Sequence, residues 1–468
     1  MSRKRRIIGF ILILLLVLIV ALCGTAFWFL QQLASVGAGY CAKRLASGIF
    51  VAGRTAESVA SEELGFVTYF DYEVDEANKT VTAWCSPWKK VTAVYREGLG
   101  VALALDGDVA AIKRQARPDL IPDLSHLAEE PWPVGDAPSG KPQPEGIDQD
   151  ALDAAVDSIM ATPGHRTRAV IVVYKDEIVA ERYAEPYGPE QRFPAWSMTK
   201  SITHALCGIA SAQGKIDIHH EAPVPEWQGE GNARSKITID MMLRMSSGLK
   251  YNEHDYIPPV DLTTMLFECP DAARFGMKLP LSDPPDTVWN YSSPTTNILS
   301  WILRQAYGDD AYYALPYKEL FGKIGMRSAF IEADASGTYV GSSFFFATAR
   351  DFIRFGLLYM HDGVWQSERI LPEGWVEYAR TTTPTAPAEN YGAHWWRPSI
   401  QEHAAAKAQG ITLPEDTFHA GGFEGQKMVV IPSREIVILR LALAYFKVWP
   451  PYDNVCDILE ALPAENAS

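Results

Sequence analysis

The chain has little positive charge for its size, no Cys-x-x-Cys pair and no internal repeat of fixed period. Each shortage removes a class of function. The formal charge is −15 over 468 residues, and four positive charges, Arg3 to Arg6, precede residue 7, so the remainder carries −19. A body that acidic repels nucleic acid, and no basic stripe offers a binding face. It also disfavours an anionic substrate held by charge alone. The six cysteines (Cys23, Cys41, Cys85, Cys207, Cys269 and Cys456) are scattered, which argues against a zinc or redox centre. Cys41 and Cys85 flank one small region, and two readings stay open: a disulfide in an exported region, or two buried thiols. His219-His220 is a poor metal site, because adjacent side chains diverge and no carboxylate pattern accompanies them. No cofactor is called for. No Gly-x-Ser-x-Gly elbow occurs, which argues against the α/β-hydrolase fold. What remains is ordinary globular material, 47% hydrophobic and 21% charged.

Charge is also missing from residues 7 to 30, IIGFILILLLVLIVALCGTAFWFL. At about 1.5 Å per residue this run spans the ~30 Å hydrocarbon layer of a bilayer. A cleaved signal has a shorter apolar core of about 7–15 residues, so length favours an uncleaved anchor. Lipid attachment at Cys23 fits poorly, because the bulky Leu22 precedes it. The basic residues 1 to 6 should stay in the cytoplasm, which places everything after residue 30 outside the cytoplasmic (inner) membrane as a single-pass protein.

Residues 37 to 128 mix short β-rich runs (FVTYFDYEV, TVTAW, KVTAVY) with small-residue segments, and read as a small appended region. Residues 129 to 146, EEPWPVGDAPSGKPQPEG, are dense in Pro and Gly and read as a linker. The large domain follows from 147 to 468. Asp148 is placed to cap a helix over IDQDALDAAVDSIMA. RAVIVVYKDEIVAERYA reads as two strands turning near Lys175-Asp176, and QKMVVIPSREIVILRLALA as a hairpin turning at Pro432 to Glu435. A helix from about Asp453 to Leu462 closes the domain. Strands from its two ends are expected to pair in one antiparallel sheet, with residues 195 to 380 mostly helical. The expected class is α+β, with a cleft between a sheet layer and a helical layer.

Ser-x-x-Lys occurs three times: Ser86 to Lys89, Ser197 to Lys200 and Ser247 to Lys250. Spacing alone cannot choose between them. Ser86 precedes Pro87 among β-type residues. Ser247 precedes Gly248, which reads as the cap past a helix. Ser197 alone opens a long helical pattern, SMTKSITHALCGIASAQG, that ends at Gly214. Lys200 then lies one turn on and on the same face. A serine hydroxyl needs a base to become a nucleophile, and a helix amino terminus favours developing negative charge. Lys200 serves as base only where its surroundings hold it neutral at least transiently. The competing reading is a capping serine beside a solvated lysine.

Further motifs follow in order: ITIDMMLRMSSGL, WNYSSPTTNIL, GSSFFFATARDFIRFG and HAGGFEGQ. With RFPAWSMTKSIT, they resemble the serine β-lactamase and penicillin-binding-protein superfamily over residues 147 to 468. Within it they look most like class C β-lactamase-related esterases and 6-aminohexanoate-dimer hydrolases. The resemblance implies a β-lactamase/DD-peptidase-like fold, with Ser197 as nucleophile, Lys200 as proton acceptor and Tyr291 as second base or acid. It implies an oxyanion hole from the N–H groups of Ser197 and Gly422, and substrate contacts from Ser293, His419 and Gly421. Two positions depart from β-lactamases: Ser293 replaces an asparagine and His419 a lysine. His419 is expected to be positive only part of the time near neutral pH. The resemblance therefore implies a membrane-anchored hydrolase of a small ester or amide, with the lipid bilayer as its other partner. A D-alanyl peptidase or β-lactamase, or a non-catalytic binding protein on the same fold, are the alternatives. Trp395-Trp396 either lines the cleft or fills the core; a strand would put one on each face.

Overall fold

A computed structural model describes residues 3–65, 68–87, 89–229, 231–253, 260–408, 410–444 and 452–463. Helix α1 (Arg3–Phe50) begins with the apolar run and continues past it without a break. From Ile7 to Leu30 its large apolar side chains are exposed all round, and the helix is long and apolar enough to cross a membrane. Beyond Ala34 the same helix is buried. Its small residues let it pack closely: a Cβ on Gly39 would lie 2.4 Å from the Phe267 carbonyl oxygen. Helix α2 (Ala56–Glu63) follows, capped by Thr55, whose side chain accepts from the Ser58 N–H.

Each of the three β-rich runs contributes a strand (Phe66 and Val67 of the first lie outside the described residues), and a fourth joins them. Strands β1 (Asp71–Asp75), β2 (Thr80–Trp84), β3 (Val91–Arg96) and β4 (Gly100–Ala104) make an antiparallel meander. Val81, Ala83, Val91, Ala93 and Val101 pack with Cys41, Leu45 and Ala46 of α1. Cys41 and Cys85 are both free thiols, and burial pushes the Cys41 thiol up to about 12. This layer docks on the rest of the chain through apolar contacts with Phe267, Phe330 and Phe344, and also through charge. Lys43 Nζ donates to Glu332 at 2.7 Å, and Glu332 also accepts from Ser47 Oγ at 3.0 Å and the Val101 N–H at 2.9 Å. Trp88 of the first Ser-x-x-Lys copy lies outside the described residues.

The Pro- and Gly-rich stretch forms neither long helix nor strand, and it is strapped down. Arg354 donates to the carbonyls of Pro133 and Gly135 and pairs with Asp136. The Trp132 indole donates to the Asp176 carbonyl at 2.7 Å.

After a helix over Gln149–Ala161, capped by Asp148 as expected, come β5 (Thr167–Tyr174) and β6 (Glu177–Tyr183). Lys175 and Asp176 both take positive φ, the turn that right-twisted strands prefer. Short strands β7 (Phe193–Pro194), β8 (Phe330–Ile331) and β9 (Phe345–Ala347) form a small sheet, and β10 (Val364–Trp365) and β11 (Glu368–Arg369) a tiny hairpin. Strands β12 (Phe418–Gly422), β13 (Gln426–Ile431) and β14 (Ile436–Ala442) complete the chain's sheets. The main sheet is antiparallel in the order β12-β13-β14-β5-β6. Ile438 faces Val172, so the two ends of the domain pair as expected. The helices Gln149–Ala161 and Asp453–Ala461 cover one face. The helix Ala349–Met360 covers the other and joins it to the helical lobe.

Candidate active site

Ser197 sits where β7 hands over to a helix. Trp196–Met198 make one 3-10 turn, and Thr199–Ala212 continue as α-helix until Gly214, at φ 66, ends it. Ser197 thus lies in a tighter turn just ahead of the α-helix, and Lys200 remains within its reach. Lys200 Nζ donates to Ser197 Oγ at 3.0 Å, to Ser293 Oγ at 2.9 Å and to the Ser342 carbonyl at 3.2 Å. It is 1% exposed. Among the described residues no carboxylate touches it, and burial pushes its pKa down to about 8, with Glu253 pulling the other way. The other two Ser-x-x-Lys copies lack this coupling. Lys89 donates to the Leu105 carbonyl, and Lys250 is exposed.

Ser293 starts the helix Ser293–Tyr307. Its N–H and its Oγ both donate to the Glu253 carboxylate, at 3.0 and 2.6 Å. A line of contacts therefore runs Ser197, Lys200, Ser293, Glu253. Glu253 escapes a sequence reading, because nothing around it in KYNEHDY forms a motif that singles it out from Asp255. Only the fold brings it to the amino terminus of a helix forty residues on, where negative charge is favoured. The Tyr291 ring lies 4.8 Å from Lys200 Nζ. Trp289, Tyr391 and Trp396 pack around that ring.

Strand β12 forms the opposite wall. It is the edge of the main sheet and carries His419, Gly421 and Gly422. A Cβ on Gly422 would lie 2.3 Å from the Ala195 carbonyl oxygen, so glycine lets the edge strand close on the turn that holds Ser197. Gly421 lies beside Trp396, where an added Cβ would be 3.6 Å from the indole. His419 is enclosed on that strand. Its Nδ1 is 2.6 Å from the Tyr452 hydroxyl, and burial, aided by nearby Lys427, holds its pKa well below the ordinary histidine value. Burial there disfavours the charged ring. Trp395 and Trp396 divide as alternate strand residues do: Trp395 is fully buried against Phe418 and Tyr359, while Trp396 stacks on His419.

A buried lysine bonded to a serine at a helix start, facing an edge strand, is the arrangement of a serine hydrolase. Residues 152–445 match the Beta-lactamase family, and the chain belongs to that family. It is 26% identical over 316 residues to the 6-aminohexanoate-dimer hydrolase of Paenarthrobacter ureafaciens, covering 62% of this chain and 74% of that one. Among solved structures, a penicillin-binding protein homologue from Caulobacter crescentus superposes with TM-score 0.53 at 15% identity, over 68% of this chain and 99% of that one. A class C β-lactamase in complex with cefoxitin gives TM-score 0.50 at 16% identity, over 67% and 99%. At such identities the likeness is one of fold, and it matches the fold expected from the motifs.

Proposed function

We propose that the protein is a membrane-anchored serine hydrolase that cleaves a small amide or ester through an acyl-enzyme on Ser197. The observation that carries this reading is the 3.0 Å contact from Lys200 to Ser197 Oγ, made by an amine whose pKa is brought to about 8. Neutral Lys200 takes the hydroxyl proton as Oγ attacks the carbonyl carbon. The oxyanion forms against the N–H groups of Ser197 and Gly422. Tyr291, packed against Lys200, passes a proton to the leaving amine or alcohol as the C–N or C–O bond breaks. Water then attacks the Ser197 ester, gives its proton back along the same path and releases the acid.

Neutral His419 supplies no fixed cation at this position, and Ser293 replaces the asparagine of β-lactamases. Both features favour a plain amide or ester over a β-lactam. The relative named a 6-aminohexanoate-dimer hydrolase supports the same class. Residues 7 to 30 are the anchor in this reading, supported by the exposed apolar surface of α1 and its unbroken run into the body. Residues 37–128, the linker 129–146 and the hydrolase domain 147–468 then lie outside the cytoplasmic membrane.

The test is active-site labelling of the full-length protein. A fluorophosphonate should label wild type and not Ser197→Ala, and turnover should be found among p-nitrophenyl esters and short amides rather than nitrocefin. Label on Ser86 or Ser247, or label that persists in the variant, would overturn the assignment. The protein should resist extraction of membranes with alkaline carbonate. A soluble product beginning after about residue 30 would show a cleaved signal.

A further inference from the structure

The amino-terminal layer reaches the neighbourhood of the site, and Arg44 carries its charged contact there. Arg44, on the buried half of α1, is 7% exposed and sits 3.4 Å from Glu424 Oε2, with its guanidinium 4.8 Å from the Trp196 ring. Arg44 also pairs with Glu63 of α2, which in turn pairs with Arg54 and with Arg168 of β5. Trp196 Nε1 donates to Glu424 Oε2 at 2.7 Å. The indole is enclosed further by Phe423 and Phe344, at 5.5 and 6.5 Å between ring centroids.

The two residues joined by that indole hydrogen bond are next to the two proposed oxyanion donors. Trp196 directly precedes Ser197, and Glu424 lies two residues after Gly422. Both carry strained backbone. Trp196 has φ 49 and Glu424 φ 65, a region that bulky residues avoid unless their surroundings impose it. The peptide plane between Trp196 and Ser197 aims the Ser197 N–H, so whatever holds Trp196 aims that donor. Glu424 is itself a buried carboxylate. Burial pushes its pKa up, and Arg44 is the largest influence that opposes this. Without Arg44 the carboxylate loses its charge partner, and with it the fixed geometry of the indole.

We propose that Arg44 and Glu424 are positioning residues of the hydrolase, and that α1 is a structural part of the oxyanion hole rather than only an attachment. Arg44 holds Glu424, Glu424 holds Trp196, and together they fix the Ser197 and Gly422 N–H groups. The proposal rests on Ser197 being the nucleophile. It ties the site to the apolar run, because at about 1.5 Å per residue Arg44 lies roughly 21 Å along the same helix from Leu30.

The test uses full-length protein in detergent, with Arg44→Met, Arg44→Lys, Glu424→Gln and Trp196→Phe. A displacement of about 1 Å at a catalytic group can cost ~100-fold in rate. The expected result is a kcat lower by ~10–100-fold in Arg44→Met and Glu424→Gln, with KM within about threefold, because the donors matter most when the oxyanion forms. Arg44→Lys should recover part of the loss. Arg44→Met with Glu424→Gln should be no worse than the poorer single variant, as expected for residues acting in series. Trp196→Phe alters no charged group and removes the indole donor together with part of the ring, so it keeps the test decisive if the charge variants fail to fold. It too should lower kcat more than it raises KM. Folded variants with lower Tm but unchanged kcat, or an unchanged kcat in Trp196→Phe, would overturn the proposal and leave the cluster as a structural ion pair. A wild type that takes no fluorophosphonate on Ser197 would overturn the hydrolase reading itself, and this proposal with it.

Discussion

Lys43 and Lys200 are both buried cations on helices, and they keep different company. Lys43 Nζ touches the Glu332 carboxylate at 2.7 Å and the Val101 carbonyl at 2.5 Å. Lys200 Nζ touches two hydroxyls and a carbonyl, and Glu253 stands one hydroxyl further out. Burial pushes both amines below their ordinary pKa. At Lys43 a carboxylate in contact opposes that push. At Lys200 it acts only across Ser293, and the pKa falls to about 8. Hydroxyls satisfy an ammonium's hydrogen bonds without compensating its charge. The first lysine therefore joins two layers, and the second is poised to give up its proton.

Methionine at each position separates the two roles most widely. Lys200→Met should lower turnover by a factor of ~100 or more. Its Tm at pH 7 should stay at or above that of wild type. The sign follows from the pKa, which is about 8 in the fold and ~10.4 in the unfolded chain. Between those values the unfolded chain binds more protons, so stability rises with pH across that window, and the burial cost is fully present below it. Removing the charge relieves about 3 kcal/mol, offset in part by three lost hydrogen bonds. Lys43→Met should act in the opposite sense. It leaves Glu332 buried without its cation, at a cost of about 3–5 kcal/mol, and Tm should fall. A Lys200→Met protein with near-normal turnover, or a Lys43→Met protein as stable as wild type, would erase the distinction.

Tyr291 tests whether the desolvated lysine works alone. Tyr291→Phe keeps the ring that packs among Trp289, Tyr391 and Trp396, and removes only the hydroxyl. Turnover should fall by a factor of ~100 with Tm nearly unchanged. A folded variant at close to the wild-type rate would take Tyr291 out of the proton path.

What the sequence disclosed follows the range of the interactions. The hairpins at Lys175-Asp176 and Pro432 to Glu435 are written in adjacent residues, and both appear where expected. Ser197 and Lys200 are three residues apart, so one helical turn suffices to find them. The partners that set their chemistry come from far along the chain. Glu253 and Ser293 meet across forty residues, and Arg44 and Glu424 across 380. No local pattern records such a meeting. The continuation of α1 to Phe50 was hidden for another reason. Gly37, Gly39 and Gly48 lower intrinsic helix propensity, yet each lies where a Cβ would collide with Phe70, Phe267 or Val59. Packing overrides propensity there, and the residues that argue against a helix are those that let it dock.

The mildest expected effect refines the Lys200 half of the comparison. The Glu253 carboxylate accepts from both polar groups of Ser293 and favours the charged form of Lys200. Glu253→Gln keeps the shape and an acceptor for the Ser293 N–H, and removes the negative charge. Lys200 then loses a charge that supports its protonated state, so its pKa should fall below about 8. The neutral amine is the form that accepts the Ser197 proton, so kcat/KM in wild type should rise with pH through a midpoint near 8. In Glu253→Gln the midpoint should move to lower pH, while the plateau rate changes by less than about tenfold. The shift should be largest at low ionic strength if any of the coupling passes through solvent, and insensitive to salt if it runs through the buried Ser293 contact. A midpoint that stays in place would mean that Glu253 only holds Ser293. A midpoint that moves up would mean that its charge does not reach Lys200 with the sign its position requires.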